Sequence, residues 1–258
     1  MVNPDRSART GVDLWAIWLE VDPAIRSHYR GLLSAEEIAC ADRFAFDALR
    51  ASYEVSHGAL RLLLAQYVNC SPRDVGLTIG ANGKPALRDD SGLRFNMSHS
   101  GRLAVYAIAR CCEVGVDVEE IRAIADLEGV ARRFFSPAEA TELMSISEEK
   151  QRRSAFFRCW TCKESYIKAI GQGLSIGLDQ FQVGLLPDSP PRFIHIGNDT
   201  REASAWTLQH FEPAAGYLGA LAYRGAARGL NLFPTRNARD LLNFPTVTAN
   251  RLRARGRA

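Results

Sequence analysis

The alternation of apolar and polar residues lays out the elements first. "VDLWAIWLEVD", from Val12, alternates enough to be a strand. Leu33 to Val68 carries the helical period and predicts two helices. Ser34 with Glu37 makes a capping-box start there, in which each side chain satisfies the other residue's backbone N–H. "VGLTIGANGKPAL" reads as strand, Asn-Gly turn, strand. "LRFNMSHSGRLAVYAIA" and "EVGVDVE" supply more strands around a loop. Ile121 to Ile170 is helical again, with a second capping box at Ser136 and Glu139 and a proline, Pro137, at the first helical position. "LDQFQVGLL", "RFIHIG", "SAWTLQHFE" and "YLGALAYR" are strand-like.

A strand, helices opened by S-x-x-E and further strands thus occur twice, about a hundred residues apart. The pattern predicts an α+β fold of two similar α/β halves, 1–112 and 113–224, with a basic C-terminal extension over 225–258.

One helix departs from the ordinary pattern. In "WTCKESYIKAIGQGL", run back to Phe156, the residues Phe156, Trp160, Ile167 and Ile170 form one stripe at about 100° per residue. Lys163 lands inside that stripe. Glu164 and Lys168, four apart, form a row on its shoulder. Surface helices carry their charges on the opposite face, and a buried charge is costly unless paired. This helix must therefore meet something charged on its inner side. Gly171 reads as its C-cap, and "IGQGLSIG" is not a dinucleotide fingerprint.

Composition narrows the class. The chain has 258 residues, 47% apolar and 24% charged, as expected of a globular protein with a sizeable core. A net charge of +3 is too small to argue for nucleic acid, and the terminal "RLRARGRA" reads as a solvated tail. "MVNPDRSART" has no apolar core of a signal peptide, and no apolar run approaches the ~18–20 residues of a membrane span. With six cysteines and no signal, reduced thiols in a cytoplasm are expected. Cys159-Trp160-Thr161-Cys162 lacks the second pair a zinc site wants and lies inside a helix rather than opening one, so its cysteines read as structural. Cys111 and Cys112 read as strand residues.

Candidate chemistry gathers at a few places. On a strand Asp117 and Glu119 share a face, and Val116 and Val118 share the other. Two carboxylates about 7 Å apart repel unless a cation lies between them, and hard oxygens suit Mg²⁺. A half-exposed strand with a polar outer face gives the same pattern. Glu164, a third acid on a helix in need of a charged partner and flanked by Lys163 and Lys168, favours a metal–diphosphate site over a salt-bridge cluster. In Asn96-Met97-Ser98-His99-Ser100 a histidine stands just past a strand. A Ser-His hydrolase reading fails for want of a G-x-S-x-G elbow, whereas a histidine beside lysines and a metal can donate to phosphate. Gly83-Lys84-Pro85 is either a plain hairpin turn or an exposed lysine for an anionic ligand.

Together "GKP", "NMSHS", "GVDVE", "FSPAE" and "WTCKESYIKAIGQGL", in this order over roughly Leu32 to Val183, resemble the Sfp-type 4′-phosphopantetheinyl transferases. The resemblance implies two α/β halves related by a pseudo-twofold, with the active site between them. It implies Mg²⁺-dependent transfer of phosphopantetheine from coenzyme A to a serine of an acyl, peptidyl or aryl carrier protein, with release of 3′,5′-adenosine bisphosphate. Carried over, Asp117, Glu119 and Glu164 hold the metal. Lys84, Ser98 and His99 bind the nucleotide and its phosphates, and Lys163 and Lys168 contact phosphate and steady the leaving group. Glu139 matches a proposed general base, and it also fits the N3 place of its capping box. Cys40 stands where several relatives carry a cation for the 3′-phosphate, and Arg43 is expected to take over that contact. A cytoplasmic monomer, without membrane or nucleic-acid partners, is the expectation. The competing classes are a Mg²⁺-dependent nucleotide-diphosphate hydrolase and a module that only binds carriers.

Overall fold

The computed structural model describes residues 11–80, 82–89, 91–110, 112–173, 176–184, 190–197 and 199–243. In the first half, β1 (Val12–Trp18) leads to α1 (Pro23–Arg30), α2 (Ala35–Ala41) and the long α3 (Asp47–Val68). The short hairpin β2 (Leu77–Ile79) and β3 (Pro85–Leu87) follows, then β4 (Leu93–Ser100) and β5 (Leu103–Arg110). In the second half, β6 (Val114–Glu120) leads to α4 (Leu127–Phe134), α5 (Pro137–Ser145) and the long α6 (Glu149–Ile170). Then come β7 (Phe181–Val183), β8 (Phe193–Ile196), α7 (Thr200–Ser204), β9 (Trp206–Phe211) and β10 (Tyr217–Arg224), before a last stretch of β11 (Leu230–Leu232), β12 (Arg236–Asn237) and α8 (Ala238–Leu241).

Each half packs a long helix on a sheet. The first sheet runs β11-β1-β5-β4, with β12 also on β1; the second runs β6-β10-β9. Trp15, Ile17, Phe95 and Tyr106 pack with Leu60 and Leu63 of α3 in one core, and Phe156, Tyr166 and Ile167 of α6 pack with Ala220 and Ala222 in another. A third core lies between the sheets: Val12, Leu14 and Ala16 of β1 and Val105 of β5 meet Val114, Val116 and Val118 of β6 and Leu221 and Tyr223 of β10. The sheets are thus buried on both faces, with the long helices outermost. Each large apolar side chain in these cores contributes roughly 1.5–3 kcal/mol.

The pattern reading needs two corrections. The segment from 225 is not wholly a separate extension: β11 and β12 run parallel to β1, Phe233 stacks on Trp15 at 3.8 Å, and Ala238 and Leu241 join the first core. These strands of two or three residues are too short to show a period. Helix α1 was also unexpected, although Asp22 caps it and Pro23 opens it. Cys111 and the basic tail lie outside the described residues. Cys40, Cys70, Cys112, Cys159 and Cys162 are free thiols. Among the described residues no helix is long and apolar enough to cross a membrane.

Candidate active site

The site forms where β4 and β6 of opposite halves run beside α6. Alternation on β4 turns Asn96, Ser98 and Ser100 toward β6. Asn96 Oδ1 accepts from the Val116 N–H at 2.9 Å, Ser98 Oγ donates to Asp117 Oδ1 at 2.8 Å, and Ser100 Oγ donates to Glu119 Oε2 at 2.7 Å. This polar zipper joins the halves. On β6, Gly115, Asp117 and Glu119 face α6. A Cβ on Gly115 would stand 2.0 Å from the Ser165 carbonyl oxygen and 2.3 Å from the Ala169 nitrogen. Only glycine lets strand and helix approach so closely, which brings Asp117 within reach of α6. Lys168 Nζ then donates to Asp117 Oδ1 at 2.6 Å and to Ser98 Oγ at 2.8 Å.

Asp117 is buried, and its second oxygen, Oδ2, has no hydrogen-bond partner. A buried carboxylate oxygen without a donor is costly and calls for an ion or water. Glu119 and Glu164 are half-buried, and their proton affinities are raised. Burial is the main cause for both, followed for Glu164 by the charges of Asp117 and Glu119, whereas the Ser100 bond and Lys168 hold Glu119 down. The three acids repel one another and supply hard oxygens, the donor chemistry that Mg²⁺ takes. Among the described residues no group of three or more Asp, Glu, His and Cys side chains is arranged to hold a metal ion by itself.

His99 lies at the exposed rim. Partial burial of its ring and then the Lys168 ammonium lower its basicity. A cavity of about 270 Å³ beside these groups is lined by Gly83, Lys84, Pro85, Met97, Glu164 and Lys168. It shares Gly83 and Pro85 with one of about 690 Å³, where Tyr53, His57, Arg73 and Arg88 stand. A larger cavity of about 780 Å³, bounded by Trp206 and Arg224, contains none of the predicted site residues except Lys84.

Four expected site residues are placed differently. Lys163 is fully buried: its Nζ donates to the Leu178 and Phe181 carbonyls at 2.7 and 2.6 Å and pairs with Glu139 Oε2 at 2.8 Å. The charged partner demanded by the α6 stripe is therefore Glu139. Glu139 is itself fully buried, and its oxygens accept from the Ser136 and Val183 N–H groups as well. Lys84 lines the cleft with its stem, but its Nζ donates to the Ala169 carbonyl at 2.8 Å and the Val114 carbonyl at 3.3 Å and pairs with Glu113 at 3.1 Å. Asn82 Nδ2 donates to the Gly171 carbonyl at 3.0 Å, so the hairpin tip caps the C-terminus of α6. Gly171 is left-handed at φ 67°, as a C-cap requires. Arg43 is exposed, donates to Cys40 Sγ at 3.4 Å, and is absent from the lining of both cleft cavities.

Two features were not foreseen. Arg73 and Arg88 stand with the buried Arg61 at the cavity of about 690 Å³, without any short motif to mark them. Cys162 Sγ lies 3.1 Å from His210 Nε2, but burial pushes the thiol up and the imidazole down to about 4, so the pair is inert.

Residues 113–222 match the 4′-phosphopantetheinyl transferase superfamily. The 4′-phosphopantetheinyl transferase HetI of Nostoc sp. is 36% identical over 217 residues, 83% of this chain and 88% of that protein. The chain belongs to the 4′-phosphopantetheinyl transferase family. The 4′-phosphopantetheinyl transferase Sfp of Bacillus subtilis is 35% identical over 129 residues, half of this chain and 56% of its own. The solved holo-acyl-carrier-protein synthase of Neisseria meningitidis aligns with 44% of this chain and 98% of its own at 17% identity, with a TM-score of 0.35, too low to bear on the fold.

Proposed function

We propose that this chain moves 4′-phosphopantetheine from coenzyme A to a carrier-protein serine in the cleft between its halves, with Mg²⁺ held by Asp117, Glu119 and Glu164. The observation that carries the site assignment is the unpartnered Asp117 Oδ2 beside two further carboxylates. The serine oxygen attacks the β-phosphorus, the bond from that phosphorus to the adenosine bisphosphate breaks, and the hydroxyl proton passes to a base. Bound there, Mg²⁺ would offset diphosphate charge. Lys168, half-buried and tied to Asp117, is placed to meet charge growing on the leaving oxygen. His99 offers a hydrogen bond at the rim. The Val116–Asn96 and Asp117–Ser98 bonds hold the two walls together.

A cytoplasmic monomer accords with free thiols and two fused halves, and size-exclusion chromatography with light scattering tests the monomer. The experiment for function mixes the protein with coenzyme A, Mg²⁺ and a panel of apo carrier proteins. A mass gain of one phosphopantetheine arm on a carrier supports transfer. Release of adenosine bisphosphate without any carrier favours the hydrolase reading, and binding without either product favours a binding module. The same panel identifies the carrier served.

A further inference from the structure

The buried Glu139–Lys163 pair has a twin. A shift of 102 residues, the separation of Glu37 from Glu139, carries Val12–Trp18 onto Val114–Glu120 and Asp47–Val68 onto Glu149–Ile170. It also carries one capping box onto the other and Arg61 onto Lys163. Arg61 is buried; its Nε donates to Glu37 Oε2 at 2.7 Å, and its Nη1 donates to the Pro72 and Val75 carbonyls at 3.3 and 3.1 Å. Lys163 meets Glu139 and the Leu178 and Phe181 carbonyls in the same way. In each half the N3 glutamate of a capping box grips a cation from the long helix. That cation ties down carbonyls of the segment following the helix. In the first half the pair lines the cavity of about 690 Å³ with Glu36 and Asp74, and that lining includes none of Asp117, Glu119 and Glu164.

We infer that Glu139 and Lys163 are a positioning pair that fixes the rotation of α6, and that neither takes the serine proton nor holds phosphate. Both carboxylate oxygens of Glu139 are engaged by Ser136, Val183 and Lys163. A general base must reach the proton it takes, within about 2.6–3.2 Å or through one water, and a fully buried, fully engaged carboxylate does not. Lys163 immediately precedes Glu164, so the clasp sets where Glu164 points.

The inference rests on the transferase reading for its rate measurements but not for its melting temperatures. The test is a double-mutant cycle on the full chain: Glu139→Gln, Lys163→Met and both together. Each single change leaves a buried partner uncompensated, and the pair removes both charges. Both singles are expected to melt lower and to need more Mg²⁺ for half-maximal transfer. The acidic limb of the pH–rate profile should stay in place, and the double variant should regain part of Tm and kcat. Glu139→Gln with wild-type Tm, a loss of about 10²–10⁴ in kcat and no recovery in the pair would make Glu139 the base and overturn the inference. If the singles do not fold, Lys163→Arg, which copies the twin, decides. Transfer within about tenfold of wild type with an unmoved pH profile supports the clasp, and a folded but inactive protein sinks it. A wild type without transfer defeats the functional reading alone, because the melting cycle still reports on the clasp.

Discussion

Trp15 in the first half and Asp117 in the second hold the same place in the 102-residue repeat defined by Glu37 and Glu139, as do Ile17 and Glu119, and Leu62 and Glu164. Trp15, Ile17 and Leu62 are buried in the first core, where they join strand to helix. In the second half the same inward positions carry three carboxylates, two of them with raised proton affinity. One frame is closed with apolar packing, and the other is left charged at its centre. The charged half keeps its shape through features the apolar half lacks at those places: Gly115 for close approach, Lys168 across to Asp117, and a serine zipper from the opposite sheet. Destabilising charge concentrated in one of two matched halves marks where a ligand completes the structure.

The largest expected effect comes from erasing that difference. Asp117→Ala should lower transfer by orders of magnitude and abolish its Mg²⁺ response, with only a small change in Tm, because loss of the Ser98 and Lys168 bonds opposes the relief of the unpartnered Oδ2. It removes a buried oxygen without a partner. Wild-type turnover with an unchanged Mg²⁺ titration would take Asp117 out of the metal site. Gly115→Ala comes next and acts on geometry. Its methyl would meet the Ser165 carbonyl at 2.0 Å, so β6 must move off α6. Overpacking of this kind costs about 1–3 kcal/mol, read as a lower midpoint in urea. Transfer should fall with it, because Asp117 and Lys168 are drawn apart. Unchanged stability would mean that the strand and helix tolerate separation.

Glu164→Gln separates stability from function. A carboxyl whose proton affinity is raised by folding binds protons more tightly in the native state. Stability is therefore greatest while it is protonated and falls as pH rises from the ordinary carboxylate range through the raised value. Without Mg²⁺, Glu164→Gln should melt higher than wild type at neutral pH, with the gap closing at acid pH, and transfer should drop sharply. A lower Tm at neutral pH would show that Glu164 makes a stabilising contact. Lys84→Ala is milder. It uncaps Ala169 and loosens the hairpin from α6, a loss of about 1–3 kcal/mol for charge-assisted bonds, and it should reduce kcat through Lys168. A pure rise in KM for coenzyme A with Tm unchanged would restore Lys84 as a ligand contact.

Much of this was legible because period and capping are local. The S-x-x-E boxes, the matched long helices and the shared face of Asp117 and Glu119 follow from residue spacing. The stripe on α6 also showed that Lys163 needed a buried partner, but not which one. A phosphate and a glutamate meet that need equally well, and the choice depends on how α5 packs against α6. Lys84 misled for a similar reason: an exposed-looking hairpin lysine became a helix cap only after the hairpin folded onto the other half. The strands after Arg224 show no period in two or three residues, and their partner lies some two hundred positions earlier in the chain.

The smallest effect distinguishes two stretches of the first half. Cys40 stands where a cation for the 3′-phosphate was expected, and Arg43 was the proposed substitute. Arg43 is exposed and turned onto Cys40 Sγ, whose thiol that guanidinium lowers, whereas Arg73 and Arg88 stand at the larger cleft cavity with Tyr53 and His57. All three arginines are exposed, so place rather than screening separates them: Arg73 and Arg88 line the cavity and Arg43 does not. A charge-assisted bond to phosphate is worth roughly 1.5–3 kcal/mol, less where solvent screens it. The ratio of kcat/KM for coenzyme A over 3′-dephospho-coenzyme A should therefore fall about tenfold or more in Arg88→Ala and by less than about fivefold in Arg43→Ala. Both variants should keep wild-type Tm. A larger fall in Arg43→Ala would place the phosphate beside α2, and the last turn of α2 at Cys40 would then be the part of the first half that still carries its cation.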